Sequence, residues 1–163
     1  MTHHLAYLSL GTNLGNKEEN LHVAMQLIEE QIGNIVSQSA LYVSEPWGFT
    51  SENTFLNNAI AVETLLTPEE LLHTTQHIEH TLGRTHKTVN RQYSDRLIDI
   101  DILFYDASII DTPTLTIPHP LMHQRLFVLS PLNEIAPTFV HPILQKTIRT
   151  LYEELMTKEQ SPC

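Results

Sequence analysis

The stretch DRLIDIDILFYD, residues 95–106, constrains this chain more than any other. Its isoleucines, leucines and aromatics read as a buried strand, yet Asp99 and Asp101 interrupt it two residues apart. Strand side chains alternate faces, so the two acids point the same way, with backbones roughly 7 Å apart. Two readings of the pair are open. The acids could flank an exposed sheet face, or pair with Arg96 and another cation. Alternatively they form half of a metal site, because burying ionised carboxylates is costly unless they are paired or coordinate a metal. The apolar run from Leu97 to Tyr105 favours the second reading. Hard oxygen ligands on a rigid strand suit Mg²⁺, which takes one or two carboxylates and draws its other ligands from water and substrate phosphates.

The rest of the chain places that strand. LAYLSLG (5–11) alternates and ends at glycine, as a first strand running into a turn does. Residues 12–33 carry Leu21, Ala24, Met25 and Ile28 at helical spacing, acids near the start and Gly33 as a stop. NIVSQSALYVSE (34–45) predicts a second strand, PWGFTSEN (46–53) an exposed loop, and TFLNNAIAVETL (54–65) a third strand. Residues 67–83 predict a helix with Thr67 as cap, Pro68 in the first turn and Glu70 completing a capping box. RTHKTVNRQYSD (84–95) has no apolar periodicity and reads as a loop before the acidic strand. Beyond it come a short strand, a brief helix around 121–129, a final helix over 143–156 and a frayed tail from Thr157. The order β-α-β-β-α-β with a helical extension is ferredoxin-like. It predicts a single α+β domain, a sandwich of mainly antiparallel sheet covered by helices.

Charge narrows the function. The formal net charge of −10 argues against a general nucleic-acid binder. Five of the nine Lys and Arg residues, however, lie between Arg84 and Arg125, as a site for a metal-bound anion would need. A solvated loop would gather them equally well. No apolar run approaches the roughly 20 residues of a membrane span. The start, MTHHLAYLSLG, lacks the pattern of a secretory signal, and the single cysteine, Cys163, has no partner for an internal disulfide. The expectation is a cytoplasmic monomer with no nucleic-acid or membrane partner.

Other candidates are weaker alone. His73, His77 and His80 share a helix face, but the glutamate and downstream ligand of a zinc protease motif are missing. GTNLG (11–15) reads as a tight turn beside a ligand rather than a phosphate loop. Glu79, Arg84, His86, Lys87, Arg91 and Arg96 form a charged string leading into the acidic strand. Trp47, Phe55 and Phe127 could stack on a flat ring, and Asn57 offers both donor and acceptor.

Their ordering resembles the 6-hydroxymethyl-7,8-dihydropterin pyrophosphokinase family of folate synthesis. LSLGTNLG, YVSEPWG, FLNNAIAVET, IEHTLGR, DRLIDIDIL and LTIPHPLMHQRLFVLSPLNEIAP carry the resemblance over about residues 5–153. It implies transfer of a pyrophosphoryl group from ATP to the pterin hydroxymethyl oxygen, by attack at the β-phosphorus with release of AMP. It also implies two Mg²⁺ ions held by Asp99 and Asp101, and phosphate-binding arginines at Arg84, Arg96 and Arg125. Glu79, His86, Lys87, Ile102 and His119 fall at positions that help hold ATP. Phe55 and Phe127 match the rings that sandwich the pterin, and Asn57 its hydrogen-bonding partner. Backbone groups of the 44–48 segment bring Ser44, Glu45 and Trp47 into the pterin set. No strong general base is evident, so positioning and charge neutralisation would supply most of the acceleration, with Asp99 at most assisting deprotonation.

The chain departs from the family pattern at His86, where some members carry arginine, and at Tyr93, where tryptophan is common. Pro120 stands where a tyrosine can occur, Glu45 replaces a frequently apolar residue, and the 84–95 loop is longer than in some members. The segments 44–53 and 84–95 are expected to close over the substrates as lids. Two rivals share the Asp pair or the fold: a two-metal phosphodiesterase or nuclease, and a catalytically silent nucleotide-binding module.

Overall fold

The computed structural model describes residues 3–45, 54–83 and 97–160, with side chains as far as residue 158. Strand β1 (His4–Thr12) is its axis, buried from Ala6 through Thr12, as a strand covered on both faces must be. Helix α1 (Lys17–Gln31) starts later than the sequence suggests because Asn16 caps it, its side chain accepting from the Glu19 N–H at 3.1 Å. Glu18 and Glu19 in the first turn suit the helix dipole. Strand β2 (Gly33–Gln38) follows at once. Gly33 is required there by close approach, since a Cβ at this position would lie 1.9 Å from the Glu63 carbonyl oxygen.

The segment expected as one strand over 34–45 is two, β2 and β3 (Tyr42–Ser44), both paired with β4 (Phe55–Thr64). The break has a clear cause. Ser39 Oγ takes the Ala59 N–H at 2.9 Å, and the Ala40 N–H turns away to the carboxylate of Glu134. Helix α2 (Pro68–Gly83) has the expected capping box. Glu70 N–H donates to Thr67 Oγ1 at 3.2 Å, and Thr67 N–H donates to Glu70 Oε1 at 2.9 Å.

Strand β5 (Asp99–Tyr105) completes the main sheet, whose order is β2-β4-β1-β5 with β3 beside β4, antiparallel throughout. This is the ferredoxin-like arrangement. β5 carries a bulge that alternation did not foretell. Leu8 faces Ile102 and Tyr7 faces Phe104, so Leu103 is an extra residue with no opposite number on β1. Ile100, Ile102 and Tyr105 therefore pack in one core, while Leu103 and Phe104 pack together in the other.

The two cores lie on opposite faces of the sheet. α1 and α2 cover one through Leu21, Ala24, Ile28, Leu71 and Ile78. The second is covered by the chain after the hairpin β6 (Ile110–Asp111) and β7 (Thr116–Ile117). Here the expected helix around 121–129 is a short 3-10 turn (Met122–Gln124) followed by α3 (Leu126–Ile135). Arg125 between them is extended, with φ −122°, and this breaks the helical run. Helix α4 (Ile148–Gln160) also starts late, because Thr147 Oγ1 accepts the Thr150 N–H and begins the helix there. Ahead of it, Nδ1 of buried His141 accepts from the Ile143 and Leu144 N–H groups in a turn. α4 continues through Thr157 to Gln160, held by buried Leu151 and Leu155. The helical extension is thus a second covering layer. No helix among the described residues is long and apolar enough to cross a membrane.

Gly33→Ala should lower stability by about 1–3 kcal/mol, the usual cost of forcing atoms into a packed site. Urea unfolding checks it, and an unchanged midpoint would mean that β2 can move off β4 at no cost.

Candidate active site

One face of the sheet is apolar at one end and polar at the other. Residues directly opposite one another in an antiparallel sheet share a face. Tyr7, Ala61 and Phe104 are opposed and pack under α3 and α4. Two residues along, Ser9 stands between Ala59 and Asp101. Two further, Gly11 stands between Asn57 and Asp99, and Asn57 in turn opposes Tyr42. Asp99, Gly11, Asn57 and Tyr42 therefore form one row across four strands, with Phe55 and Ser44 opposed in the next.

Gly11 makes this row a slot. Its neighbours Asp99 and Asn57 are two strand spacings apart, about 10 Å, with no side chain between them. A Cβ at Gly11 would come 3.0 Å from Asn57 Oδ1 and 3.6 Å from the Phe55 ring. The sequence reading put this glycine in a turn. It lies inside a strand, where a glycine marks a close approach.

Asn57 is buried, and its amide nitrogen donates to Tyr42 O at 3.2 Å and Ser44 Oγ at 2.8 Å. A carbonyl oxygen only accepts, so the amide orientation is fixed and Oδ1 is turned toward Gly11. This end of the row presents an acceptor above Gly11.

The opposite end is acidic. Asp99 and Asp101 are half-buried on β5, on the same face as expected. Glu79, half-buried on α2, has Oε2 accepting the Ile100 N–H at 2.7 Å. Burial, followed by the Asp99 charge, pushes its carboxyl up to about 8, so in the ligand-free protein it holds a proton at neutral pH. Two aspartates on a rigid strand beside a third carboxyl, with substrate oxygens still to come, fit Mg²⁺ by donor chemistry. Among the described residues no group of three or more His, Cys, Asp and Glu forms a self-sufficient metal cage. His73, His77 and His80 are exposed along α2.

His119 and Arg125 come from the segment that crosses β5. The His119 N–H donates to Leu103 O at 3.1 Å, and its ring Nδ1 accepts from the Leu121 N–H at 3.2 Å. Burial, then the nearby Arg125 charge, pulls this imidazole down to about 4, so it is neutral with its proton on Nε2, a donor. Arg125 is 5% exposed, and its guanidinium carbon lies 5.7 Å from the centre of the Phe127 ring. Ile102 is buried on the opposite face, in the core with α1 and α2. Glu45 is exposed at the end of β3, whereas Ser44 and Phe55 are half-buried. Trp47, Arg84, His86, Lys87, Arg91, Tyr93 and Arg96 lie outside the described residues, as do the segments expected as lids, apart from Ser44 and Glu45.

Residues 7–137 match the family model described as 7,8-dihydro-6-hydroxymethylpterin-pyrophosphokinase (HPPK). The chain belongs to this family. A 2-amino-4-hydroxy-6-hydroxymethyldihydropteridine pyrophosphokinase of Porphyromonas gingivalis is 44% identical over 139 residues, covering 85% of this chain and 94% of its own. A protein of the same name from Bacillus subtilis is 41% identical over 132 residues, covering 80% of this chain and 77% of its own. Among solved structures, the wild-type Plasmodium falciparum HPPK-DHPS crystal structure with SDX-DHP superposes with a TM-score of 0.82 at 20% identity. That match covers 99% of this chain and 46% of the Plasmodium chain, so this chain spans less than half of it and the likeness is one of fold.

In this HPPK fold the Glu79 proton has a thermodynamic consequence. The folded state binds it up to pH about 8, and an unfolded chain releases it near 4.5, so stability falls as pH rises through that window. Glu79→Gln should flatten the slope and raise the melting temperature of ligand-free protein at the upper end of the window. Melts of both proteins across it are the check, and parallel curves would show that Glu79 is not protonated. Gly11→Val should fill the slot and weaken pterin binding at least tenfold, about 1.4 kcal/mol or more, with little effect on ATP. Calorimetry showing unchanged pterin affinity would remove the slot from the site.

Proposed function

We infer that this chain transfers the pyrophosphoryl group of ATP to the hydroxymethyl oxygen of 6-hydroxymethyl-7,8-dihydropterin, in folate synthesis. The row Asp99–Gly11–Asn57 carries the reading, because it joins an acidic end to an acceptor end across a floor with no side chain. A flat ring laid on Gly11 would offer its N–H edge to Asn57 Oδ1 and direct its substituent toward the aspartates. Phe55, whose ring borders Gly11, and Phe127 on α3 would provide the faces of the sandwich. Backbone groups of Ser44 and Glu45, with Trp47 beyond them, would complete the pterin edge.

On the ATP side, Arg125 and the Nε2–H of neutral His119 would donate to phosphate oxygens, joined by Arg84, His86, Lys87 and Arg96 of the loop before β5. The side chain of Ile102 is committed to the core, so its part would fall to its backbone. Among the described residues β5 is an edge strand, and by the period of two its groups face outward with those of Ile100, whose N–H reaches Glu79. Asp99 and Asp101 would hold two Mg²⁺ ions, which when bound supply charge neutralisation to the phosphates.

The hydroxymethyl oxygen attacks the β-phosphorus and loses its proton. The bond from that phosphorus to the α–β bridging oxygen breaks, and AMP departs with the oxygen. The chain's contribution would be to align these atoms and to replace water around them, with Asp99 at most assisting the proton's departure. The wider reading is a cytoplasmic monomer with no nucleic-acid or membrane partner.

Incubation with ATP, Mg²⁺ and the pterin should yield AMP only when the pterin is present. AMP formed without it would favour the phosphodiesterase reading, and none at all the silent module. Asp101→Ala should cut turnover by at least a hundredfold while circular dichroism stays native. Activity surviving that change would overturn the metal assignment.

A further inference from the structure

Glu134 takes no part in the chemistry just described, yet it joins the two walls of the pterin site. It stands on α3 seven residues after Phe127, with buried Pro131 between them. At 3.6 residues per turn these three share a stripe, and Phe127 and Glu134 are about 10 Å apart along the axis. The far end of that stripe reaches β3. Glu134 Oε1 accepts from the Tyr42 hydroxyl at 2.6 Å, and its two oxygens share the Ala40 N–H at 3.2 and 3.1 Å. The hydrogen bond to Glu134, then burial, pushes the Tyr42 phenol up to about 12, so it remains a donor throughout the physiological range.

β3 needs such an anchor. It is three residues long, pairs among the described residues only with β4, and follows the break at 39–41. It also sets Asn57, because Tyr42 O and Ser44 Oγ receive the amide nitrogen and leave Oδ1 toward the slot. Were β3 to drift, Asn57 could rotate and present a donor where the ring also has one.

We propose that Glu134 is a positioning residue for pterin recognition: by clamping β3 to α3 it keeps Asn57 an acceptor and fixes the gap between Asn57 and Phe127. The proposal rests on the pterin pocket described above. Its specificity consequence is discrimination in favour of rings with an N–H edge.

The test is calorimetric titration of Glu134→Ala, Tyr42→Phe and the double variant with the substrate pterin, in Mg²⁺ and a non-hydrolysable ATP analogue. The analogue is also titrated alone. Glu134→Ala should weaken pterin binding about tenfold and leave the analogue within about twofold, as loss of charge-assisted hydrogen bonds acting on one subsite would. Tyr42→Phe should lose about threefold, with the double variant no worse than Glu134→Ala. Glu134→Gln, which keeps an acceptor, should recover part of the loss. Unchanged pterin affinity overturns the proposal, and so does an equal loss for both ligands, the mark of a merely structural role. Tyr42→Phe removes only a hydroxyl and decides the matter if Glu134→Ala folds poorly. Phe127→Ala runs alongside: if it leaves pterin binding intact the pocket itself is misplaced, whereas a loss there with none in Glu134→Ala rejects the clamp alone.

Discussion

Everything in this molecule hangs on the double pairing of β1. From His4 to Thr12 it is matched residue by residue to β4, and from Ala6 to Gly11 to β5. That register decides which side chains of three strands stand abreast. A slip of one residue would send each to the other face. It brings an asparagine from β4 and an aspartate from β5 to either side of a glycine, though they are far apart in sequence. The covering helices keep the register in place, since apolar side chains on both faces would be exposed by any slip.

The electrostatics follow from the same geometry. Like charges crowd one end of the row, and the fold relieves the crowding by keeping one acid neutral. Glu79 keeps its proton and receives a backbone N–H, which lowers the number of charges at the edge of β5. On the flank His119 gives up its charge, being buried beside Arg125. Among the described residues, an acid and a base at this end of the sheet are thus both driven toward neutrality.

Much of this was legible in the sequence, and where it was not the reasons are physical. The period of two put Asp99 and Asp101 on one face, and Thr67 with Glu70 announced α2. The break at 39–41 was hidden because its causes are tertiary: a serine hydroxyl taking a ladder N–H, and a carboxylate 94 residues away. The start of α3 depends on the extended Arg125, which no propensity signals. Gly11 was noticed but assigned to a turn, since a glycine near a strand's end reads the same in either place until its neighbours are known. Ile102 entered the ATP set through the family resemblance, and that its side chain lies in the other core shows only once the faces of β5 are known. Glu134 was passed over because a surface glutamate on a helix carries no mark of what it holds.

The bulge in β5 has a consequence that the sheet diagram conceals. Leu103 lies between the half of the strand that bears the acids and the half that anchors the second core, and its carbonyl receives the His119 N–H. Removing that single residue would leave both halves facing as they do now, because the strand on either side is already in step with β1. The ladder could close over the gap, but the second core would lose a fully buried leucine. The His119 N–H would lose its acceptor at the same time, so one residue ties the packing of the second core to the placing of the histidine segment.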